Sequence, residues 1–121
     1  MIIYKKYFFD AAHYMNNFKK NHKYSRIHGH SYEVIIKISG HVDKKNNWVF
    51  NYDDVDHLMN PLIKKLDHQT LNNIKGLENP TSENIAKWFW KNLKKKISKL
   101  ESVEINRPRI GGCIYSGEEL S

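Results

Sequence analysis

Apolar and polar residues change period several times along this chain, and each change marks an element. From Met1 to Ala12 the run Ile2, Ile3, Tyr4, Tyr7, Phe8 and Phe9 is rich in β-formers and ends at His13, which predicts a first strand. Tyr14 to Lys23 is polar and asparagine-rich and reads as a loop. Alternation returns from Tyr32 to Ser39 and predicts a second strand, closed by Gly40. Residues 41–47, with Asp43-Lys44-Lys45-Asn46-Asn47 as the tip, predict a turn. Trp48-Val49-Phe50-Asn51-Tyr52 then predicts a third strand, paired with the second as a hairpin.

The period next lengthens to that of a helix. Val55, Leu58, Met59, Leu62, Ile63 and Leu66 recur at three- and four-residue spacing, so a helix should run from a cap at Asp53 or Asp54 to about Leu66, with Pro61 able to kink it. Asp67-His68, Leu71-Asn72-Asn73 and a loop to Pro80 follow. Thr81-Ser82-Glu83 after Pro80 reads as a second helix start, with Thr81 or Ser82 as cap. That helix should carry Ile85, Trp88, Phe89, Leu93, Ile97 and Leu100 inward, its tryptophans counted as core. A last strand is expected over Val103 to Asn106, interrupted by Arg107-Pro108 before Gly111-Gly112-Cys113-Ile114-Tyr115. The order is β, β-hairpin, α, α, β: an antiparallel sheet with two helices on one face, an α+β fold in which residues 1–121 form one domain.

Composition narrows the classes. An apolar fraction of 40% and an aromatic fraction of 12% suit a folded chain. The single cysteine, Cys113, excludes an intrachain disulfide and suits a reducing compartment. No apolar run reaches the roughly 18 residues of a membrane span, and Met1-Ile2-Ile3-Tyr4-Lys5-Lys6 lacks the layout of a signal peptide, so a cytoplasmic protein without a membrane partner is expected. The net charge of +7 owes much to Lys87, Lys91, Lys94, Lys95, Lys96 and Lys99. No arginine–aromatic platform accompanies them, so they read as a solvated face and nucleic acid is not an expected partner.

The chemistry concentrates in Ile27-His28-Gly29-His30-Ser31-Tyr32. Histidine is the commonest zinc ligand, and two histidines two apart on a strand project from one face. A third imidazole from a neighbouring strand would complete a three-histidine site with the open position of a catalytic metal. Spacing alone leaves chance open, since the chain has seven histidines. Asp67-His68 is either a carboxylate orienting an imidazole for acid–base work or a histidine favoured by the end of a helix.

Taken in order, Phe9-Asp10-Ala11-Ala12-His13, Arg26-Ile27-His28-Gly29-His30-Ser31-Tyr32, Leu66-Asp67-His68 and Leu77-Glu78-Asn79-Pro80-Thr81-Ser82-Glu83 resemble the 6-pyruvoyl-tetrahydropterin synthase family. The likeness is greatest to its bacterial 6-carboxytetrahydropterin synthase branch, of the queuosine pathway, and continues through Gly112-Cys113-Ile114-Tyr115-Ser116-Gly117-Glu118. It implies the tunnelling fold, whose subunits join four-stranded sheets into a barrel, usually as a homohexamer of two trimers. It implies Zn²⁺ on His13, His28 and His30, with Asp67 and His68 as a proton relay contributed across a subunit interface. The implied reaction converts 7,8-dihydroneopterin triphosphate to 6-carboxytetrahydropterin with loss of acetaldehyde and triphosphate.

Two positions depart from the family pattern. Tyr24 stands where the family has its catalytic cysteine, four residues before His28, and a phenol is a weaker base than a thiol. Arg107 stands where the family has a glutamate that grips the pterin, and an arginine cannot accept the hydrogen bonds that edge donates. Glu104, three residues earlier, has the opposite strand parity. The expectation is therefore a zinc-dependent lyase of altered substrate or mechanism. Tyr24 would serve as acid or base, Arg107 would meet the substrate, and Thr81, Ser82 and Glu83 would line the pocket. The alternatives are a diverged aldolase or epimerase acting on a non-pterin phosphorylated or carbonyl-rich compound, and a binding module that keeps the metal without turnover.

Overall fold

An unbroken antiparallel ladder organises the structure, a computed structural model that describes residues 1–118. Strand β1 (Ile2–His13) pairs with β2 (His28–Ser39) from Ile2 opposite Ser39 to His13 opposite His28. β2 pairs on its other side with β3 (Leu100–Arg107), with a register break at Lys37/Ile38, and β3 turns back into β4 (Gly111–Tyr115). The strand order is β1-β2-β3-β4, antiparallel throughout.

Two-residue alternation then decides what each face carries. Phe9, Ala11 and His13 of β1, Tyr32, Val34, Ile36 and Ile38 of β2, and Val103 and Ile105 of β3 are buried on the inner face. Helix α1 (Tyr52–Leu66) covers it with Val55, Met59, Leu62 and Leu66, and α2 (Ser82–Leu93) with Ile85, Ala86, Phe89, Trp90 and Leu93. Phe9 lies at the middle of this layer, stacked on Tyr32 at 4.8 Å between ring centres and tilted against Phe89 at 6.3 Å. Burying each such aliphatic or aromatic side chain contributes about 1.5–3 kcal/mol, so the apolar stripes hold the helices to the sheet. The outer face has no helix, and Ile2, Tyr4, Phe8 and Ile114 stand exposed there.

The expected third strand does not form. Trp48 to Phe50 is a bend, and Asn51 accepts a hydrogen bond from Asp53 N to cap a helix that has already begun at Tyr52. Asp43 explains the failure: it closes residues 43–48 on themselves, accepting from Asn47 N and Asn46 N and donating its own N–H to Trp48 O. Val49 then drops into the core while Trp48 and Tyr52 stay outside, a one-residue anchor in place of a strand's alternation. The edge of β2 that a hairpin would have used is taken by β3. The fourth strand is instead Gly111–Tyr115, reached through a turn in which Ile110 N donates to Arg107 O. The helix cap lies at Asn51 rather than Asp53 or Asp54. The second helix ends at Leu93, so Ile97 reaches the core from a turn and Leu100 from β3; Trp90 is buried but Trp88 only partly so. Among the described residues no helix is long and apolar enough to cross a membrane.

One polar cluster ties α1 to β1. Asp56 accepts from Lys5 Nζ and from Tyr7 OH, both at 2.6 Å. These bonds hold the Asp56 carboxyl below its ordinary pKa, the bond from Lys5 contributing most. A carboxylate with a depressed folded-state pKa stabilises the fold above its unfolded pKa near 4, and that contribution is lost as pH falls through the lowered value. Asp56→Asn should therefore cost about 1 kcal/mol near pH 7 and much less near pH 3, in urea titrations of both proteins at the two pH values.

Candidate metal centre

The β1–β2 register brings three imidazoles together. His13 ends β1 opposite His28, and His30 lies two residues along β2 on the same face. The three rings stand nearly edge to face, their centres 4.6–5.0 Å apart. One ligating atom from each can be chosen so that all lie within 4.8 Å of one another. His13 is buried, and His28 and His30 are partly open.

Backbone carbonyls fix which nitrogens face inward. His13 Nδ1 is 3.0 Å from Pro80 O, and His28 Nδ1 is 2.8 Å from Arg26 O. A carbonyl only accepts, so both Nδ1 atoms carry a proton, and in the neutral form of each ring Nε2 presents its lone pair. Those two Nε2 atoms are 3.0 Å apart. Two lone pairs at that distance repel unless a cation lies between them, so the donor set fits a bound metal ion. Anchoring of the remote ring nitrogen by a carbonyl is the second shell that orients histidine ligands. Burial, more than neighbouring charge, pushes the His30 imidazole down to about 4, and the same cause lowers His13 against the opposing pull of the Pro80 carbonyl. The His30 ring is therefore neutral, as a ligand must be, well below neutral pH, and His13 is shifted in the same direction.

A cavity of about 210 Å³ opens beside the three rings. Its polar wall comprises Tyr24, Thr81, Ser82, Glu83 and Arg107, five of the seven positions expected to meet substrate or move a proton, and its apolar wall comprises Met15, Phe18 and Ile110. Tyr24 arrives on a loop sewn down by Met15 N to Tyr24 O, by paired bonds between Asn72 and the Tyr14 backbone, and by Asn16 Nδ2 to Glu78 O. Its ring centre is 6.1 Å from that of His28, and the Lys23 ammonium lies 5.0 Å over the ring. Thr81 is committed to capping α2, its Oγ1 accepting from Asn84 N. The apolar wall was missed by sequence reasoning. Its one signal is that Phe18 is the only large apolar side chain in the polar stretch 16–23. The carbonyls of Pro80 and Arg26 leave no signal at all.

Asp67 and His68 do touch, but elsewhere. His68 Nδ1 is 2.9 Å from Asp67 Oδ2, while Asp67 Oδ1 accepts from Asp10 N at 2.9 Å and His68 N donates to Asp10 O at 2.6 Å. The loop continues as a short parallel extension of β1, with Ala12 N donating to Gln69 O and Ala12 bridged to Thr70. His68 adopts φ +60°, a left-handed backbone that a non-glycine residue takes only where surrounding bonds impose it. The Asp10 N–H, and then the His68 ring, hold the Asp67 carboxyl below the ordinary carboxylate range. His68 of this dyad borders a wider groove shared with His30, Gly29 and Ser31, not the cavity of Tyr24 and Arg107.

Comparison with known proteins places this geometry. A model of the family described as 6-pyruvoyl tetrahydropterin synthase matches residues 2–118. The chain is 32% identical to a 6-carboxy-5,6,7,8-tetrahydropterin synthase of Synechocystis sp., covering 99% of this chain and 96% of that one. It is also 32% identical to a dihydroneopterin monophosphate aldolase of Pyrococcus furiosus, over 79% of this chain and 76% of that relative. The structure of Caenorhabditis elegans 6-pyruvoyl tetrahydropterin synthase superposes with a TM-score of 0.88 at 24% identity, covering 98% and 96% of the two chains, which shows the shared fold.

Proposed function

Because this chain belongs to the 6-pyruvoyl tetrahydropterin synthase family, we propose that it is a zinc-dependent lyase acting on a small pterin-like substrate, with chemistry altered at the positions of Tyr24 and Arg107. The observation that carries this reading is the pair of His13 and His28 Nε2 atoms, bare and 3.0 Å apart beside His30 and an open cavity. Zinc bound there would act as a Lewis acid on substrate oxygens and acidify the adjacent carbon-bound proton.

The chain's own residues do the rest. His68, its Nδ1 held by Asp67, accepts a proton at Nε2, and the carboxylate stabilises the imidazolium that results. Within one subunit this dyad opens on a different groove from the one holding Tyr24, which supports its serving the cavity of a neighbouring copy. The uncovered outer face of the sheet, with Tyr4, Phe8 and Ile114 exposed, suits the barrel of a homohexamer. Tyr24 O–H, 42% exposed as a residue and at the cavity wall, gives or takes the second proton in place of a thiol. The expected setting is the cytoplasm.

A second reading is an aldolase, favoured by the relative of that name. The test is to load the purified protein with zinc, supply 7,8-dihydroneopterin triphosphate and dihydroneopterin monophosphate in parallel, and identify products by mass. The altered-lyase reading expects little or no 6-carboxytetrahydropterin but some carbon–carbon or carbon–oxygen cleavage that His28→Ala abolishes. Rapid formation of 6-carboxytetrahydropterin would overturn the alteration, cleavage of the monophosphate alone would favour the aldolase, and zinc binding without turnover of either compound would favour a binding module.

A further inference from the structure

Among the described residues Arg107 has no acid to pair with. Among the described residues, no carboxylate lies within 4.0 Å of its guanidinium; its one hydrogen-bonding neighbour is His30 Nε2, 3.4 Å from Nη1, and its Nε is buried without an acceptor. A half-buried arginine normally recovers its lost hydration from a carboxylate, a phosphate or several carbonyls. Glu104 could have done so by charge but points to the other face, where Lys37 and Asn106 hold it.

A second feature on the opposite wall has the same preference. Ser82 is only 7% exposed, lines the cavity, and its Oγ has no hydrogen-bond partner. It begins the 12-residue helix α2, whose first N–H groups have no partner within the helix and carry a partial positive charge. Thr81 satisfies Asn84 N and leaves the amides of Ser82 and Glu83 at the mouth. A guanidinium without a carboxylate partner among the described residues and the start of a helix with a buried, unpartnered Ser82 hydroxyl thus face one cavity that also receives the three imidazoles. Among the described residues Glu83 is the one acid at its rim, and its side chain is exposed and also borders the adjoining hollow with Lys87 and Cys113.

We propose that the substrate of this cavity is an oxyanion, its carboxylate or phosphate lodged between the Arg107 guanidinium and the start of α2, with the rest of the molecule turned toward the three histidines. The proposal rests on the metal-lyase reading for the reaction but not for the binding. A guanidinium offers two parallel N–H donors that match two oxygens of one anion, and it rejects a ligand whose edge only donates. Arg107 is then the residue that selects substrate, and the metal end of the pocket supplies the chemistry.

Calorimetric titration of the zinc-loaded protein with inorganic phosphate and with lactate tests this and separates the two anion sources. One of them should bind saturably, at least tenfold more weakly in Arg107→Gln, with partial recovery in Arg107→Lys, several-fold more weakly in Ser82→Ala, and more tightly in Glu83→Gln. If Arg107→Gln does not fold, Arg107→Lys and Ser82→Ala carry the comparison. Unchanged affinity in Arg107→Gln, or in both remaining variants if it does not fold, overturns the proposal, as does absence of binding of either anion to a zinc-loaded wild type. Zinc stoichiometry, set by the histidines, should stay the same in every variant. A protein that binds anion through Arg107 but cleaves no pterin overturns the lyase reading alone.

Discussion

His13→Ala should empty the metal centre: zinc retained through gel filtration is expected to fall from about one equivalent per chain to less than a tenth of that, and turnover to fall by at least about 100-fold. Loss of a residue that merely orients a ligand already costs about 10–100-fold, so loss of a ligand sets a higher floor. His13 is the most demanding of the three positions because it is almost wholly buried and its Nδ1 donates to Pro80 O, a carbonyl that alanine would leave without its partner. The reading that separates metal loss from misfolding is thermal. Zinc at about 100 times its dissociation constant contributes about 2.7 kcal/mol, which raises the midpoint of a domain this size by on the order of 10 °C. That rise should be present in the wild type and absent in His13→Ala, with circular dichroism of the two apo proteins superimposable. A variant that keeps both its zinc and its zinc-dependent midpoint would refute the three-histidine site.

The second large effect is expected at His68. Its backbone stands at φ +60°, so alanine would mix a conformational cost with a chemical one, whereas asparagine tolerates that region. His68→Asn should keep zinc and stability while lowering turnover by about 10²–10⁴-fold, the range of a positioned acid–base group. Asp67→Asn should reproduce most of the loss, since the carboxylate that holds His68 Nδ1 becomes a neutral amide. If the dyad of one subunit serves the metal of its neighbour, two inactive proteins should repair each other. Unfolding and refolding His28→Ala with His68→Asn as an equal mixture should restore about one site in four, by random assortment across a shared interface. No recovery in assemblies shown by mass to be mixed would place each metal and its dyad within one and the same subunit.

Residues whose neighbours in sequence are also their partners were legible; those whose partners are distant were not. The stripe of Val55, Met59, Leu62 and Leu66 announced α1, because a helix is made of local bonds and its buried face follows from spacing. Thr81 announced α2 for the same reason, its hydroxyl bonding three residues on. Trp48–Tyr52 misled because a β-rich run says nothing about whether a strand edge is free to receive it, and β3, some fifty residues later, had taken that edge. Gly111–Tyr115 was the converse, a weak-looking segment made into a strand by the turn at Arg107–Ile110. At the site, the spacing of His28 and His30 showed two ligands on one face. What brought His13 opposite them was register along a twelve-residue ladder, which only the family likeness implied. The carbonyls that choose the ring tautomers belong to Pro80 and Arg26, residues picked for where their backbone lies rather than for their side chains.

Strand β1 has one further consequence. Over four consecutive residues its main chain seats both halves of the proposed chemistry: Asp10 grips Asp67 and His68, Ala12 grips Gln69, and His13 belongs to the three-histidine cluster that could hold a metal. All three of those grips are made by backbone atoms of β1, so side-chain replacement at Ala12, or of Asp10 by another polar residue, leaves them standing. Loss or gain of a single residue between Asp10 and His13 would not. It would rotate the imidazole to the opposite face of the sheet and slide the dyad's docking points along the strand in the same event. Lineages descended from such a chain should therefore vary in letter but not in length across this segment, and a library built to retune the enzyme can mutate it freely so long as it never changes the count.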